Sequence, residues 1–244
     1  MRPKDAVSKR LLIAIAALAG ILLTASLGFW QWERGHQRTA VRQAIEAQAH
    51  SATVGARELL AVPGGDTRLV NRPVVLTGEW LPDRTIYLDN RQMNAVPGFY
   101  VVTPLRIAGS QAVVLVQRGW VQRNFEARTS LPAIQTPTGT VEVHGLLAPP
   151  PAKLYAFTTE ETGPIRQNLD LGAFRLETGL PLLALSVQQT GAPSEGLLRQ
   201  WPEAGSGAER NYGYAFQWWA MAGLIAILYV WFQLVVPRRQ VRRA

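Results

Sequence analysis

Residues 11–30 read LLIAIAALAGILLTASLGFW, twenty consecutive positions without a charge. At about 1.5 Å of rise per residue, a helix of that length reaches across a hydrocarbon core of about 30 Å. Residues 218–236, WWAMAGLIAILYVWFQLVV, repeat the pattern over nineteen positions. Both stretches are expected to be transmembrane helices. They also explain the composition, in which 48% of residues are hydrophobic and 17% charged, where about a quarter charged is usual.

The net charge of +8 sits almost wholly outside these stretches. Arg2, Lys4, Lys9 and Arg10 against Asp5 give the first ten residues +3, and Arg238, Arg239, Arg242 and Arg243 give the last eight +4, leaving +1 for everything between. A nearly neutral middle argues against a nucleic-acid partner. Basic residues just outside both helices predict that both ends are cytoplasmic, with the intervening chain on the far side. Arg34, Arg38 and Arg42 follow the first helix on its outer side and form a weaker counter-signal. A cleaved signal peptide is disfavoured, because the apolar run is long and passes into LGFWQW rather than a small-residue cleavage site. The expected organisation is a basic tail (1–10), a first transmembrane helix (11–30), a periplasmic β-rich domain (31–215), a second transmembrane helix (216–236) and a basic tail (237–244). The short basic start favours a bacterial inner membrane, spanned twice, over a mitochondrion.

Aromatic residues gather where membrane surfaces are expected: Phe29, Trp30 and Trp32 at the first exit, Phe216, Trp218 and Trp219 at the second entry. The first helix carries small residues every fourth position, Ala16, Gly20, Thr24 and Gly28. Such a face admits close approach by another helix, either the second helix or a larger membrane protein.

Beyond the first span, ERGHQRTAVRQAIEAQAH predicts more helix, and VPGGD ends it. RPVVLTGEW, RTIYLDN, GFYVVTPLRI, QAVVLVQRGWV, TVEVHGLL and PLLALSVQQT are short runs rich in β-branched and aromatic residues, separated by turn signals. LDLGAFRLETG suits a short helix. The fold class is therefore an α+β membrane protein: two transmembrane helices flanking a mainly antiparallel β domain, a small barrel or sandwich.

Catalytic chemistry is scarce. No GxSxG, HExxH or GxxxxGK[ST] motif occurs, and the absence of cysteine removes thiol and zinc-thiolate chemistry. His50 reads as solvated and His144 as a strand-face residue; His36 lies just outside the first span. Lys153 and the adjacent pair Glu160 and Glu161 form no acid–base constellation. No catalytic residue, no metal site and no enzyme are expected. In QRGWV, Arg118 and Trp120 fit two readings, a strand edge with Arg118 paired to a carboxylate, or a partner contact.

Several blocks, in order, resemble the Surfeit-locus (Surf/Shy) cytochrome c oxidase assembly family. They are LGFWQWER, then YLDNR, GFYVVTPL and VVLVQRGWV, then IRQNLDL and GLLRQWPE, and finally NYGYAFQWWAMA. The resemblance implies a non-enzymatic chaperone-like assembly factor for haem–copper oxidase. Its partners would be the catalytic oxidase subunit and haem a synthase, and it would transiently handle haem a. A membrane-anchored scaffold that stabilises an oxidase intermediate without haem is the alternative. Matching motif positions are Gly98, Arg118, Gly119 and Trp120, and Tyr214, Gln217 and Trp218 in the closing block. Relatives often carry a histidine three residues before that tyrosine, the favoured haem ligand; here the position is Asn211. Asparagine is not a usual axial donor to haem iron. The expected rim for haem or a partner comprises Asn211, Tyr212, Tyr214, Gln217, Trp218, Trp30, Arg34 and His36.

Overall fold

The structure, a computed structural model, describes residues 3–124, 130–152, 154, 163–202 and 205–237, with side chains from residue 9 onward. Lys153, Glu160 and Glu161 lie outside the described residues. The chain divides into two compact units: residues 1–44 with 203–244, and residues 45–202.

The first unit is a helix pair. Helix α1 (Pro3–Ala49) runs without interruption for 47 residues, more than twice the roughly 20 that a bilayer core needs. Its second half has good helix formers and no proline, so nothing stops the helix where the apolar run ends. The expected boundary at residue 30 therefore marks a change of surface, not of backbone. Helix α4 (Ala208–Val230) is followed by a π-helical turn at Trp231–Val235. Helix α4 likewise starts well before residue 216.

The small-residue stripe is where the two helices meet. Thr24 is buried and donates its hydroxyl back to the Gly20 carbonyl at 2.8 Å, which satisfies that hydroxyl within its own helix. A Cβ at Gly28 would lie 2.3 Å from Nε1 of Trp219, so only hydrogen fits there. Ala208, Ala215 and Ala222, spaced by sevens, are the buried residues of α4. Heptad spacing keeps a seam on one face of a helix. Phe29 meets Trp219 edge to face with centroids 5.4 Å apart.

The second unit is a β-barrel. Its described residues form seven strands: β1 (Pro73–Trp80), β2 (Ile86–Met93), β3 (Val96–Ile107), β4 (Val113–Gln122), β5 (Thr140–Ala148), β6 (Ile165–Arg166) and β7 (Leu182–Gln189). The sheet runs β1-β5-β7-β4-β3-β2-β6, and an extra β1–β3 pairing closes β1, β5, β7, β4 and β3 into a five-stranded barrel. The β4–β7 and β2–β6 pairs are parallel and the others antiparallel. Closure removes the free edges that a sandwich of this size would leave. Strand β3 makes closure possible, because its first part pairs β2 and its last residues, Leu105–Ile107, turn to β1.

Strand β4 is buried over eight consecutive residues, Val113–Trp120. Continuous burial means that both faces are covered. Val114 and Val116 face the barrel interior with Leu76, Leu105, Val143 and Val187. Val113 and Leu115 pack outward beneath helix α3 (Leu171–Thr178) through Phe174. Asp170 caps α3 by accepting from the Ala173 amide, and Gly179 in the left-handed region ends it. Short helix α2 (Ala56–Leu60) adds Leu59 to the interior cluster.

Candidate functional site

In the helix pair, the residues expected at the rim fall into three groups. Asn211 and Tyr212 lie in the seam. Asn211 Nδ2 donates to Gln31 Oε1 at 2.7 Å, and Tyr212 shares a hydrogen bond with Thr39 at 3.2 Å. Gly35 provides the space for Tyr212, since a Cβ there would come within 2.8 Å of the ring. Asn211 Oδ1 is buried and has no partner among the described residues. The Asn211 amide, which the sequence reading placed in the rim, ties the two helices.

Trp30 and Arg34 belong to a second group. The Arg34 guanidinium lies over the Trp30 ring, 5.1 Å from its centroid. Together with Glu33, Gln37, Arg38, Val41, Gly205 and Ser206 they line an open groove of about 690 Å³. Arg38 is fixed to the groove wall by Nη1, which donates to the carbonyls of Ser206 and Gly207 at 3.3 and 3.4 Å. Glu33 accepts from Gln37 Nε2 at 3.1 Å.

His36 is not part of that groove. It stacks on Trp32, with centroids 5.3 Å apart and planes 12° from parallel, and is exposed. At about 100° per residue, positions 32 and 36 fall on a different face from 30, 34, 37 and 41. Tyr214 and Gln217 are exposed on α4 and Trp218 is half-buried. None of these three lines the groove. Among the described residues, no three His, Asp or Glu side chains come together as a metal site.

In the barrel, the motif positions build an interior anchor. Strand β4 bulges against β3: Val101 faces Gly119 and Val102 faces Gln117, leaving Arg118 as the extra residue. A bulge re-aims a side chain, and here it turns Arg118 fully inward, 0% exposed. Its Nη2 donates to Glu195 Oε2 at 2.9 Å and to the Gln135 carbonyl at 2.6 Å, and Nη1 to Thr136 at 2.8 Å. The guanidinium also lies 4.8 Å from the Trp80 ring centroid. Arg199 reaches the same Glu195 oxygen at 3.4 Å and donates to the carbonyls of Arg118 and Ala192. Burial pulls the Arg199 guanidinium below its usual range, against which Glu195 acts. The carboxylate-paired reading of Arg118 is the one these contacts support.

Gly119 and Gly98 serve the same anchor. A Cβ at Gly119 would sit 2.7 Å from the Leu198 carbonyl, which bonds to the Trp120 amide, and one at Gly98 would enter the Trp120 ring at 2.5 Å. Trp120 Nε1 donates to the Arg91 carbonyl at 2.8 Å. Arg91 itself is buried, giving Nη2 to the carbonyls of Ala152 and Gln167. Burial lowers the pKa of its guanidinium and raises that of the neighbouring Tyr100 phenol.

Sequence reasoning missed Gln31, Gly35 and Thr39. Part of the signal was present, because Gly35 and Thr39 follow Gly28 by seven and eleven residues and so stay on its side of the helix. It missed Glu195, 77 residues from Arg118, for which no local signal exists. His144 projects from β5 and pairs with Glu142 at 2.8 Å, both exposed. His50 bonds to the Glu46 carbonyl near the end of α1.

A closed five-stranded barrel carried in sequence between two helices of membrane-spanning length defines an α+β membrane protein. Within that class the chain belongs to the SURF1 family, whose profile matches residues 18–223. It is similar to a SURF1-like protein of Rickettsia prowazekii (strain Madrid E), 30% identical over 105 residues, which is 42% of this chain and 40% of that protein. A SURF1-like protein of Rickettsia conorii (strain ATCC VR-613 / Malish 7) is 32% identical over 97 residues, 39% of this chain and 38% of the relative. The matched segments therefore span about two fifths of those relatives' length.

Proposed function

We propose that this protein is a non-catalytic assembly factor for haem–copper cytochrome c oxidase, working beside the catalytic subunit and assisting delivery of haem a. The family match over residues 18–223 carries this reading. The pattern of basic residues supports a bacterial inner membrane with both termini cytoplasmic and the barrel periplasmic. The Arg118, Gly119 and Trp120 side of the resemblance is absorbed by the barrel anchor, which leaves the helix pair as the place where cargo or partner is met.

The donor set of the helix pair does not fit axial ligation at residue 211. An amide is a poor iron donor, and that of Asn211 is held by Gln31 in the seam. The exposed imidazole of His36 on the Trp32 face and the exposed phenol of Tyr214 are candidate donors in this unit, neither of them lining the Trp30–Arg34 groove. Haem handling here accordingly rests on aromatic and apolar contact, with release favoured by the lack of a buried axial bond.

Reduced-minus-oxidised spectra of membranes with and without the gene test the reading, under conditions where an aa-type oxidase is made. Selective loss of the haem a signal, with b- and c-type haems unchanged, is expected. Lowered oxidase abundance with no haem on the purified protein would favour the scaffold alternative, and unchanged oxidase would overturn the assembly reading.

A further inference from the structure

The groove beside the helix seam has the chemistry and the depth of a lipid headgroup site. We propose that it seats the phosphodiester of a membrane phospholipid, with Arg34 as the main contact and the acyl chains running down α1 past Leu27 and Leu23. This rests on α1 spanning a bilayer and is independent of the oxidase reading.

Depth is the first argument. Trp30 ends the uncharged run, and Arg34 lies four residues on, about 6 Å higher along the axis. The headgroup layer on each side of a bilayer is about 5–7 Å thick, so Arg34 stands at phosphate level when Trp30 stands at the hydrocarbon boundary. Residues 23, 27, 30, 34, 38 and 41 are spaced by fours and threes, which puts them on one face. That face reads leucine, leucine, tryptophan, arginine, arginine, valine: apolar below, cationic above, the profile of an amphiphile. Leu23 and Trp30 are exposed along it.

Charge is the second argument. Arg34, Arg38 and Glu33 give the groove a net charge of +1, matched to a phosphodiester monoanion rather than to a dianionic free phosphate. Arg38 is committed through Nη1 to two carbonyls. Arg34 has no hydrogen-bond or ion-pair partner among the described residues and rests on the Trp30 ring. A guanidinium held flat against an indole keeps its edge donors available for phosphate oxygens.

The full-length protein in detergent, titrated with phosphatidylglycerol and read by native mass spectrometry, tests the site. One lipid should bind ahead of the rest. Arg34→Gln should weaken it roughly fivefold, from the loss of one arginine at a phosphate surface. Glu33→Gln, which raises the groove charge, should tighten it. Millimolar inorganic phosphate should not displace it. Equal binding by wild type and Arg34→Gln, no tightening by Glu33→Gln, or displacement by inorganic phosphate would each overturn the proposal. The Glu33→Gln arm holds even if Arg34→Gln folds poorly.

Discussion

Glu195 holds two arginines at once, one of them with no exposed surface. Removing a single partner of a buried ion pair is costly because the remaining charge is stranded in a low dielectric. Glu195→Ala is therefore expected to destabilise the protein by about 3 kcal/mol, more than Arg199→Ala, as read by thermal unfolding of the full chain in detergent. A smaller effect for Glu195→Ala than for Arg199→Ala would contradict the anchor. Glu177 is the second residue with a clear sign. The hydrogen bond from Arg166, at 2.6 Å, holds its carboxyl below the usual carboxylate range. Its folded pKa lies below its unfolded one, so the stability it adds is complete above the unfolded value of about 4.3. That contribution is lost as pH falls through the folded value. The carboxylate is partly exposed, so the effect is small, and Glu177→Gln should flatten the acid limb of a stability–pH curve without moving the neutral plateau.

At the scale of elements, the seam between α1 and α4 depends on missing atoms. Gly28 gives its place to the Trp219 ring, and Gly35 to Tyr212. Gly28→Leu should push the helices apart, because the indole cannot yield without leaving Phe29 as well. The chain has no cysteine, so cysteines placed at Gly20 and Ile225, in contact across the seam, report directly. A short bis-maleimide should join them in the parent chain and fail in Gly28→Leu. The barrel depends in the same way on strand β3 serving two neighbours in succession, and on the bulge at Arg118. The sequence named every strand from β1 to β5 and β7 through its own apolar pattern. It did not reveal the β1–β3 closure, since pairing partners far apart in the chain leave no mark on local periodicity.

For the whole molecule the decisive quantity is which side of the membrane the barrel occupies. Positive residues outside both spans predict the outer side. Gln111→Cys, exposed in the β3–β4 turn, should react in intact cells with a maleimide that cannot cross the inner membrane. Labelling only after lysis would reverse the topology. The sequence by itself determined the two apolar helices, the β content between them, the short α3 and the family, because each is written in contiguous residues as run length, alternation or ordered blocks. It also found the aromatic and cationic residues at the membrane exit. Only the tertiary structure decided that the sheet closes into a barrel, that Arg118 turns inward onto Glu195, and that Asn211 is spent on Gln31 while His36 and Trp30 face different ways. Those outcomes depend on which distant residues come into contact, and that is fixed by packing and hydrogen-bond satisfaction across the whole unit rather than by any segment alone.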